Sequence, residues 1–221
     1  QGKLLFHQDK SLLPSYDVFD ETRHFEPAAE IRVAHFKGEK LGISICEDAW
    51  CGVESWCRRL YDRDPMEVLA RAGATVLVNL SASPFQVGKE DERYRLMRSH
   101  AQKFAAPFVY LNQVGGNDEL IFDGHSLAFD ATGEPLAVLP GFEEALITVD
   151  LGQKGTPGLY TPQKPMAMVH DALVLGLRDY LHKTGFSKAV VGLSGGVDSA
   201  GVCALAAAAL GPDNVLGVAM P

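Results

Sequence analysis

One stretch limits the folds open to this chain more than any other: Val190-Val191-Gly192-Leu193-Ser194-Gly195-Gly196-Val197-Asp198-Ser199-Ala200. An apolar run that reads as a buried strand meets two glycines, and an alanine-rich helical segment begins at once. A strand that turns tightly into a helix N-terminus cradles anions. The first backbone N–H groups have no partner within the helix, and the helix dipole favours negative charge there. Gly195 and Gly196 put no Cβ between the backbone and a phosphate. A second apolar run at 215–220 follows the helix. Residues 188–193, 197–210 and 215–220 therefore read as a strand–helix–strand unit of an α/β fold.

Spelling removes two common nucleotide loops. The Walker loop needs a lysine after its last glycine, and none stands here. The dinucleotide fingerprint needs G-x-G-x-x-G, which Gly192, Gly195 and Gly196 do not match. The segment instead reads Ser-Gly-Gly-Val-Asp-Ser. Its hydroxyls can donate to phosphate oxygens, and the Asp198 carboxylate can hold a Mg²⁺ that bridges them. The bland alternative is a strand-to-helix turn with no ligand. The hexapeptide resembles the pyrophosphate loop (PP-loop) of the ATP pyrophosphatase family, which splits ATP into AMP and pyrophosphate. That resemblance implies ATP on Ser194, Gly195, Gly196, Val197, Asp198 and Ser199, with Mg²⁺ at Asp198.

The 221 residues suffice for one large domain or two small ones. A net charge of −8 leaves no electrostatic footprint for nucleic acid. Cys46, Cys51, Cys57 and Cys203 form no C-x-x-C pair, so no zinc site is expected. Neither a signal peptide nor an apolar membrane span is visible, which makes the cytoplasm the expected location. Gln1-Gly2-Lys3-Leu4-Leu5-Phe6 opens directly on what reads as a strand, and Met220-Pro221 closes the chain just after the last apolar run. Two parallel strands and one helix leave a sheet edge open, so a fragment cut inside a domain at both ends is expected.

Between these ends, the apolar runs 31–36 and 41–46 flank Lys37-Gly38-Glu39-Lys40 and read as a hairpin. Residues 65–72 read as a helix ended by Gly73, and 75–80 as a buried strand. Residues 89–105 form an amphipathic helix. Its stripe of Tyr94, Met97, Ala101 and Phe104 is a core face, with Arg93, Arg95 and Arg98 around it. Strands are expected at 108–111, 126–129, 136–139 and 145–149. Residues 152–165 hold three prolines without periodicity and read as a linker at a domain boundary. A helix over 166–183 follows, with Met166, Val169, Leu173, Gly176, Leu177 and Tyr180 on one face. The organisation expected is one domain over 1–151, a linker over 152–165, and the start of a second domain over 166–221.

Ile43-Ser44-Ile45-Cys46-Glu47-Asp48-Ala49-Trp50 carries the sharpest site of the first part. A cysteine where a strand gives way to a turn can have a lowered thiol pKa and meet substrate. A thiolate that attacks an amide forms a thioester and releases ammonia. That chemistry needs a proton acceptor and a positive group for the oxyanion. By itself such a cysteine is more often a small core residue. The seven histidines show no partner pattern.

The segments 9–21, 43–50 and Asn79-Leu80-Ser81-Ala82-Ser83-Pro84-Phe85 resemble the glutamine-using branch of the nitrilase-like amidases. The resemblance implies a Glu–Lys–Cys set with Lys10 and Cys46 as its lysine and cysteine. Its base glutamate comes from a strand upstream of the lysine, a region this sequence lacks. Glu21 is similar to a second glutamate that helps position the set. The resemblance further implies a glutamine pocket at Tyr16, Glu47, Ser83 and Lys89, with Trp50 beside it. Glu47 would take the substrate ammonium, and Ser83 and Lys89 its carboxylate. Cys51, Cys57 and Cys203 have no such context.

A nitrilase-like glutaminase followed by a PP-loop resembles the family of glutamine-dependent NAD⁺ synthetases, across essentially the whole chain. The fold implied is the C-terminal part of a nitrilase-like αββα sandwich followed by the first βαβ unit of a Rossmann-like PP-loop domain. The reaction implied hydrolyses glutamine and uses ATP and Mg²⁺ to adenylate nicotinic acid adenine dinucleotide, which ammonia converts to NAD⁺. A homo-oligomer, with neither nucleic acid nor membrane as partner, is expected. The competing readings are a stand-alone amidase with an accessory nucleotide-binding segment, and an inactive fragment.

Overall fold

The computed structural model describes residues 2–51 and 61–220. Cys57, one of the four cysteines, lies outside them. Six strands form the main sheet: β1 (Ala34–Phe36), β2 (Glu39–Ile45), β3 (Val76–Ser81), β4 (Phe108–Asn112), β7 (Leu127–Phe129) and β8 (Pro135–Val138), in the order β1-β2-β3-β4-β7-β8. β1 and β2 are the expected hairpin, with Ala34 opposite Leu41 and Phe36 opposite Glu39. Lys37 and Gly38 both have positive φ (49° and 90°), the geometry a two-residue turn needs to match strand twist. β2, β3 and β4 run parallel, while β7 and β8 return antiparallel.

Parallel neighbours require crossovers, and two helices supply them. α1 (Pro65–Arg71) starts on Asp64, whose carboxylate caps the N–H groups of Met66 and Glu67 at 3.0 and 3.1 Å. α2 (Lys89–Phe104) ends at Ala105, which adopts φ 49°. Leu77, Phe108 and Phe129 stand in register across three strands, and Met66, Leu69, Met97 and Ala101 cover that row. The apolar stripe read from the helix is thus its core face. Arg93 departs from the expectation. It is wholly buried, because Asp123 lies opposite and neutralises it.

Between β4 and β7 the chain forms a separate hairpin, β5 (Val114–Asn117) with β6 (Leu120–Asp123), which sequence patterning does not reveal. α3 (Pro165–Lys183) packs on this hairpin. Its buried residues are Met168, Ala172 and Leu175, against Phe142, Phe85, Val114 and Ile121. This corrects the expected face, of which Met166, Leu173 and Tyr180 are more than half exposed. The helix is rotated because Gly116 brings the hairpin against Gly176: a Cβ on Gly116 would lie 3.2 Å from the Gly176 Cα. The Asp179 carboxylate accepts the Gly116 N–H at 2.8 Å.

β9 (Ala189–Leu193), α4 (Val197–Leu210) and β10 (Val215–Ala219) form the expected parallel βαβ unit. β9 is not a buried strand, however. Val190 is 70% exposed, and Leu216 of β10 is 61% exposed, because α4 covers one face of this two-stranded sheet and nothing among the described residues covers the other. Two further strand expectations fail. Leu4, Leu5 and Phe6 belong to no strand, with Leu4 and Leu5 largely exposed. Residues 145–149 likewise make no ladder, and Leu146 points to solvent. Apolar alternation alone does not supply a strand partner.

Candidate active site

Cys46 follows the last residue of β2 and opens a tight 3-10 turn, Cys46–Ala49. Its φ is 43°, a left-handed conformation that an L-residue adopts at a cost of about 1–2 kcal/mol. Three side chains hold the turn there. The Asn79 amide donates to the Cys46 carbonyl at 3.3 Å and to the Ser44 hydroxyl at 2.9 Å. The Asp48 carboxylate reaches back to accept the Ile45 N–H at 3.0 Å. His100 of α2 meets the Ala49 carbonyl at 2.7 Å. The strained turn lifts the sulfur off the sheet at the carboxyl end of a parallel strand, where α/β sheets form their crevices.

Asp48 also fixes the lysine. Its other oxygen accepts the N–H groups of Ser11 and Leu12 at 2.9 and 2.8 Å, so one buried carboxylate ties the Lys10 segment to the Cys46 turn. The Lys10 ammonium donates to both oxygens of Glu21 at 2.7 Å. Lys10, Glu21 and Cys46 line one cavity of about 760 Å³, together with Leu80, Ala82 and Phe122. Neither Asp48 nor Asn79 stands out in sequence as a site residue. The only signal for Asp48 is its place beside Cys46 and Glu47.

Burial pushes the Cys46 thiol above its ordinary pKa. The Lys10 charge, the Ser81 hydroxyl and the Ala82 N–H oppose that rise without cancelling it. The expected lowering at a strand-to-turn junction is therefore not found, since a four-residue 3-10 turn offers no helix N-terminus strong enough to offset desolvation. A thiol in this state needs a base to react at neutral pH.

On its other side Cys46 borders a second cavity, of about 420 Å³, lined also by Tyr16, Glu47, Trp50, Ser83 and Lys89. All of the residues implied for a glutamine pocket meet here, from segments up to 73 positions apart (16 to 89). The Tyr16 hydroxyl donates to both oxygens of Glu47 at 2.8 and 3.0 Å, and the Tyr61 hydroxyl donates to one at 3.3 Å. Burial pushes the Glu47 carboxyl up, with Tyr16 and Lys10 pulling against it. Burial also pushes the Lys89 ammonium down, helped by the Arg93 charge. Lys89 lies over the Trp50 ring, its nitrogen 5.4 Å from the centroid. The cavity thus holds a carboxylate and an ammonium as opposite poles, with the sulfur between two chambers.

The glycine loop lies in the other part of the chain. Gly195 takes φ 82°, and a Cβ there would meet nothing within 4 Å. Gly196 caps α4 without any side-chain hydrogen bond to the first-turn N–H groups. Ser199 accepts the Ser194 N–H at 3.3 Å, and the two hydroxyls are also 3.3 Å apart. Ser194, Gly195, Gly196, Val197 and Asp198 are exposed, and Ser199 is half-buried. Free helix-start N–H groups, two hydroxyls and room for a phosphate suit ATP. Asp198 offers one carboxylate, and no group of three His, Cys, Asp or Glu able to hold a metal occurs among the described residues. A Mg²⁺ here would take its remaining ligands from phosphate oxygens and water, as is usual for that ion. No helix among the described residues is long and apolar enough to cross a membrane.

Comparison with known proteins agrees with both parts. The carbon-nitrogen hydrolase family model matches residues 1–156, and the NAD synthase model matches residues 169–221. The chain is 46% identical to the glutamine-dependent NAD(+) synthetase of Synechocystis sp., over 100% of this chain and 40% of that protein. It is 37% identical to the enzyme of that name from Thermotoga maritima, over 100% of this chain and 43% of that protein. Among solved structures, the Acinetobacter baumannii glutamine-dependent NAD+ synthetase in complex with ADP superposes with a TM-score of 0.87 at 33% identity, covering 100% of this chain and 40% of that one. A carbon-nitrogen hydrolase from Helicobacter pylori matches at 0.51 and 26% identity, over 61% of this chain and 48% of that one. The chain spans about 40% of the length of the curated relatives it matches.

Proposed function

Because the chain belongs to the carbon-nitrogen hydrolase family and carries an NAD synthase segment after it, we propose that it hydrolyses glutamine to supply ammonia for ATP-driven NAD⁺ synthesis. The observation that carries this reading is the meeting of Cys46 with Tyr16, Glu47, Ser83 and Lys89 in one cavity. Glu47 would take the α-ammonium of glutamine, and Ser83 with Lys89 its α-carboxylate. The side-chain amide then faces Cys46.

The Cys46 sulfur attacks the amide carbon, and Lys10 stabilises the oxyanion. The C–N bond breaks, ammonia leaves with the proton taken from the thiol, and water hydrolyses the thioester to glutamate. Glu21 is bound to Lys10, and Glu47 to two tyrosines. In this reading the base is neither of these but the glutamate that the nitrilase-like set takes from a strand upstream of its lysine.

At the second site, ATP sits on Ser194–Ser199, its phosphates on the α4 N–H groups and the two serine hydroxyls. Mg²⁺ beside Asp198 would neutralise phosphate charge. The carboxylate of nicotinic acid adenine dinucleotide displaces pyrophosphate, and ammonia then displaces AMP to give NAD⁺. The similar structure solved in complex with ADP supports nucleotide binding. The division into a glutaminase domain over 1–151, a linker over 152–165 and a synthetase segment over 166–221 belongs to the same reading. So do a cytoplasmic location and a homo-oligomer.

The test is to supply the whole protein with glutamine, ATP, Mg²⁺ and nicotinic acid adenine dinucleotide. NAD⁺, AMP and pyrophosphate should appear in equal amounts. Amide hydrolysis without NAD⁺ formation would leave a plain amidase.

A further inference from the structure

Arg93 is the largest charged side chain sealed inside the first domain, and the chemistry above makes no use of it. One guanidinium nitrogen donates to both oxygens of Asp123 at 2.8 Å, and both residues are fully buried. The other nitrogen donates to two consecutive main-chain carbonyls, Ser83 at 3.1 Å and Pro84 at 3.0 Å. Those two residues form a wall of the cavity beside Cys46. Proline has no N–H, so its carbonyl is the only main-chain group by which Pro84 can be held.

Arg93 lies four residues after Lys89 on α2, on the same helix face. One helix therefore carries Lys89 and, one turn later, the group that holds Ser83. Asp123 ends β6, and its neighbour Phe122 bridges to Pro84 across the loop. The guanidinium thus joins α2, the end of β6 and the Ser83–Pro84 wall, whose Ser83 N–H also donates to Asn112 at 2.9 Å. A lysine could meet Asp123 but could not fork to two carbonyls as well.

We propose that Arg93, held by Asp123, is a positioning residue that sets the spacing between Ser83 and Lys89, and so selects amide substrates that carry an α-carboxylate. This rests on the glutamine reading of the cavity. Arg93 touches no substrate and acts through the Ser83–Pro84 wall.

The experiment uses the whole protein and glutamine hydrolysis. Arg93→Ala alone would leave Asp123 charged and buried, which can unfold the domain. The informative variants are Arg93→Lys, which keeps the charge pair, and the double variant Arg93→Met with Asp123→Leu. The double variant replaces the pair by apolar groups of similar size, an exchange that buried ion pairs often tolerate without loss of stability. Both variants should raise the glutamine KM about tenfold or more, the scale expected for a wall displaced by an ångström or less. Alkylation of Cys46 by iodoacetamide, which needs no carboxylate contact, should stay within about twofold of the parent rate, since neither variant touches the sulfur's own contacts.

A purely structural Arg93 would lower the active fraction and the apparent kcat while leaving KM unchanged, and that result overturns the proposal. An unchanged KM in the Arg93→Lys variant overturns it as well. If the parent protein hydrolyses no glutamine, the reading of the cavity fails first and takes this inference with it.

Discussion

Asp48 offers the sharpest test of how the site is assembled. The carboxylate accepts the Ser11 and Leu12 N–H groups on one oxygen and the Ile45 N–H on the other, at 2.8–3.0 Å, and is 1% exposed. Asp48→Asn keeps the shape and one acceptor oxygen. That oxygen can serve Ser11 and Leu12 or Ile45, but not both sides, so an amide NH₂ must face a backbone N–H. Orphaning one buried donor costs about 1–3 kcal/mol. The Asn is spared the desolvation that disfavours the carboxylate, which trims the loss. A net effect of about 2 kcal/mol is expected at the joint between the Lys10 segment and the Cys46 turn. At about 1.4 kcal/mol per factor of ten, the properly joined state falls by about 30-fold. The kcat for glutamine hydrolysis should drop by about 10- to 30-fold, with KM within about threefold because the pocket residues keep their own partners.

The sign of the pH effect follows from burial, which holds the Asp48 carboxyl above its ordinary value. Between the unfolded and the raised folded value the native state binds more protons than the unfolded one. Stability from this group is therefore full below the ordinary aspartate range and declines as pH rises through the raised value. The Asn variant does not titrate, so its stability should stay flat over the range in which this group makes the parent's decline. The measurements are glutamine hydrolysis and urea unfolding across pH. A kcat within twofold of the parent, with a urea midpoint clearly lowered, would show that Asp48 supports the fold alone and sink the argument.

Three further outcomes follow from the same geometry. Cys46→Ala in the whole protein should abolish glutamine-driven NAD⁺ formation and leave the ammonia-driven reaction within about twofold, since the loop over Ser194–Ser199 is untouched; loss of both would make Cys46 a structural residue. The rate of Cys46 alkylation should rise with pH to a midpoint above that of free cysteine, and Lys10→Met should move the midpoint higher still by removing the charge that opposes burial. A midpoint at or below that of free cysteine would contradict the desolvation reading. Asp198→Asn should slow synthesis by at least about tenfold with either nitrogen source, the loss expected when a phosphate-bound Mg²⁺ loses its carboxylate; unchanged AMP release would remove the metal from that residue.

Sequence patterning found the elements that depend on local chemistry. The glycine-containing segment Lys37-Gly38-Glu39-Lys40 between two apolar runs names its hairpin, although the turn itself is only Lys37-Gly38 and Glu39 and Lys40 already pair in β2. The core stripe of α2 is visible because its period matches the helix. Elements that depend on distant partners stay hidden. Val114-Gly115-Gly116-Asn117 has the composition of a loop, yet it is a strand whose small residues admit α3. Arg93 reads as a solvent-facing charge until Asp123, 30 residues later, is placed beside it. The alternation at 145–149 has the pattern of a strand but pairs with no neighbour among the described residues.

The two candidate sites divide along the same line. The phosphate cradle is contiguous: strand end, two glycines, two hydroxyls and a helix start all fall within seven residues, Leu193–Ser199. Its chemistry follows from local backbone geometry, so spelling alone is informative. The amide site has no such local cause. Lys10, Tyr16, Cys46, Glu47, Ser83 and Lys89 come together only because parallel strands end on one side of the sheet and Asp48 and Arg93 tie the segments there. Tyr16, Ser83 and Lys89 carry no signal of their own in composition or period. They are readable only by likeness to a known arrangement, whereas the ties at Asp48 and Arg93 emerge from hydrogen bonds. An assembled site must therefore be more sensitive to its buried ties than a contiguous one. Loss of Asp48 or Arg93 should damage glutamine hydrolysis and leave the ammonia-driven reaction at the Ser194–Ser199 loop intact.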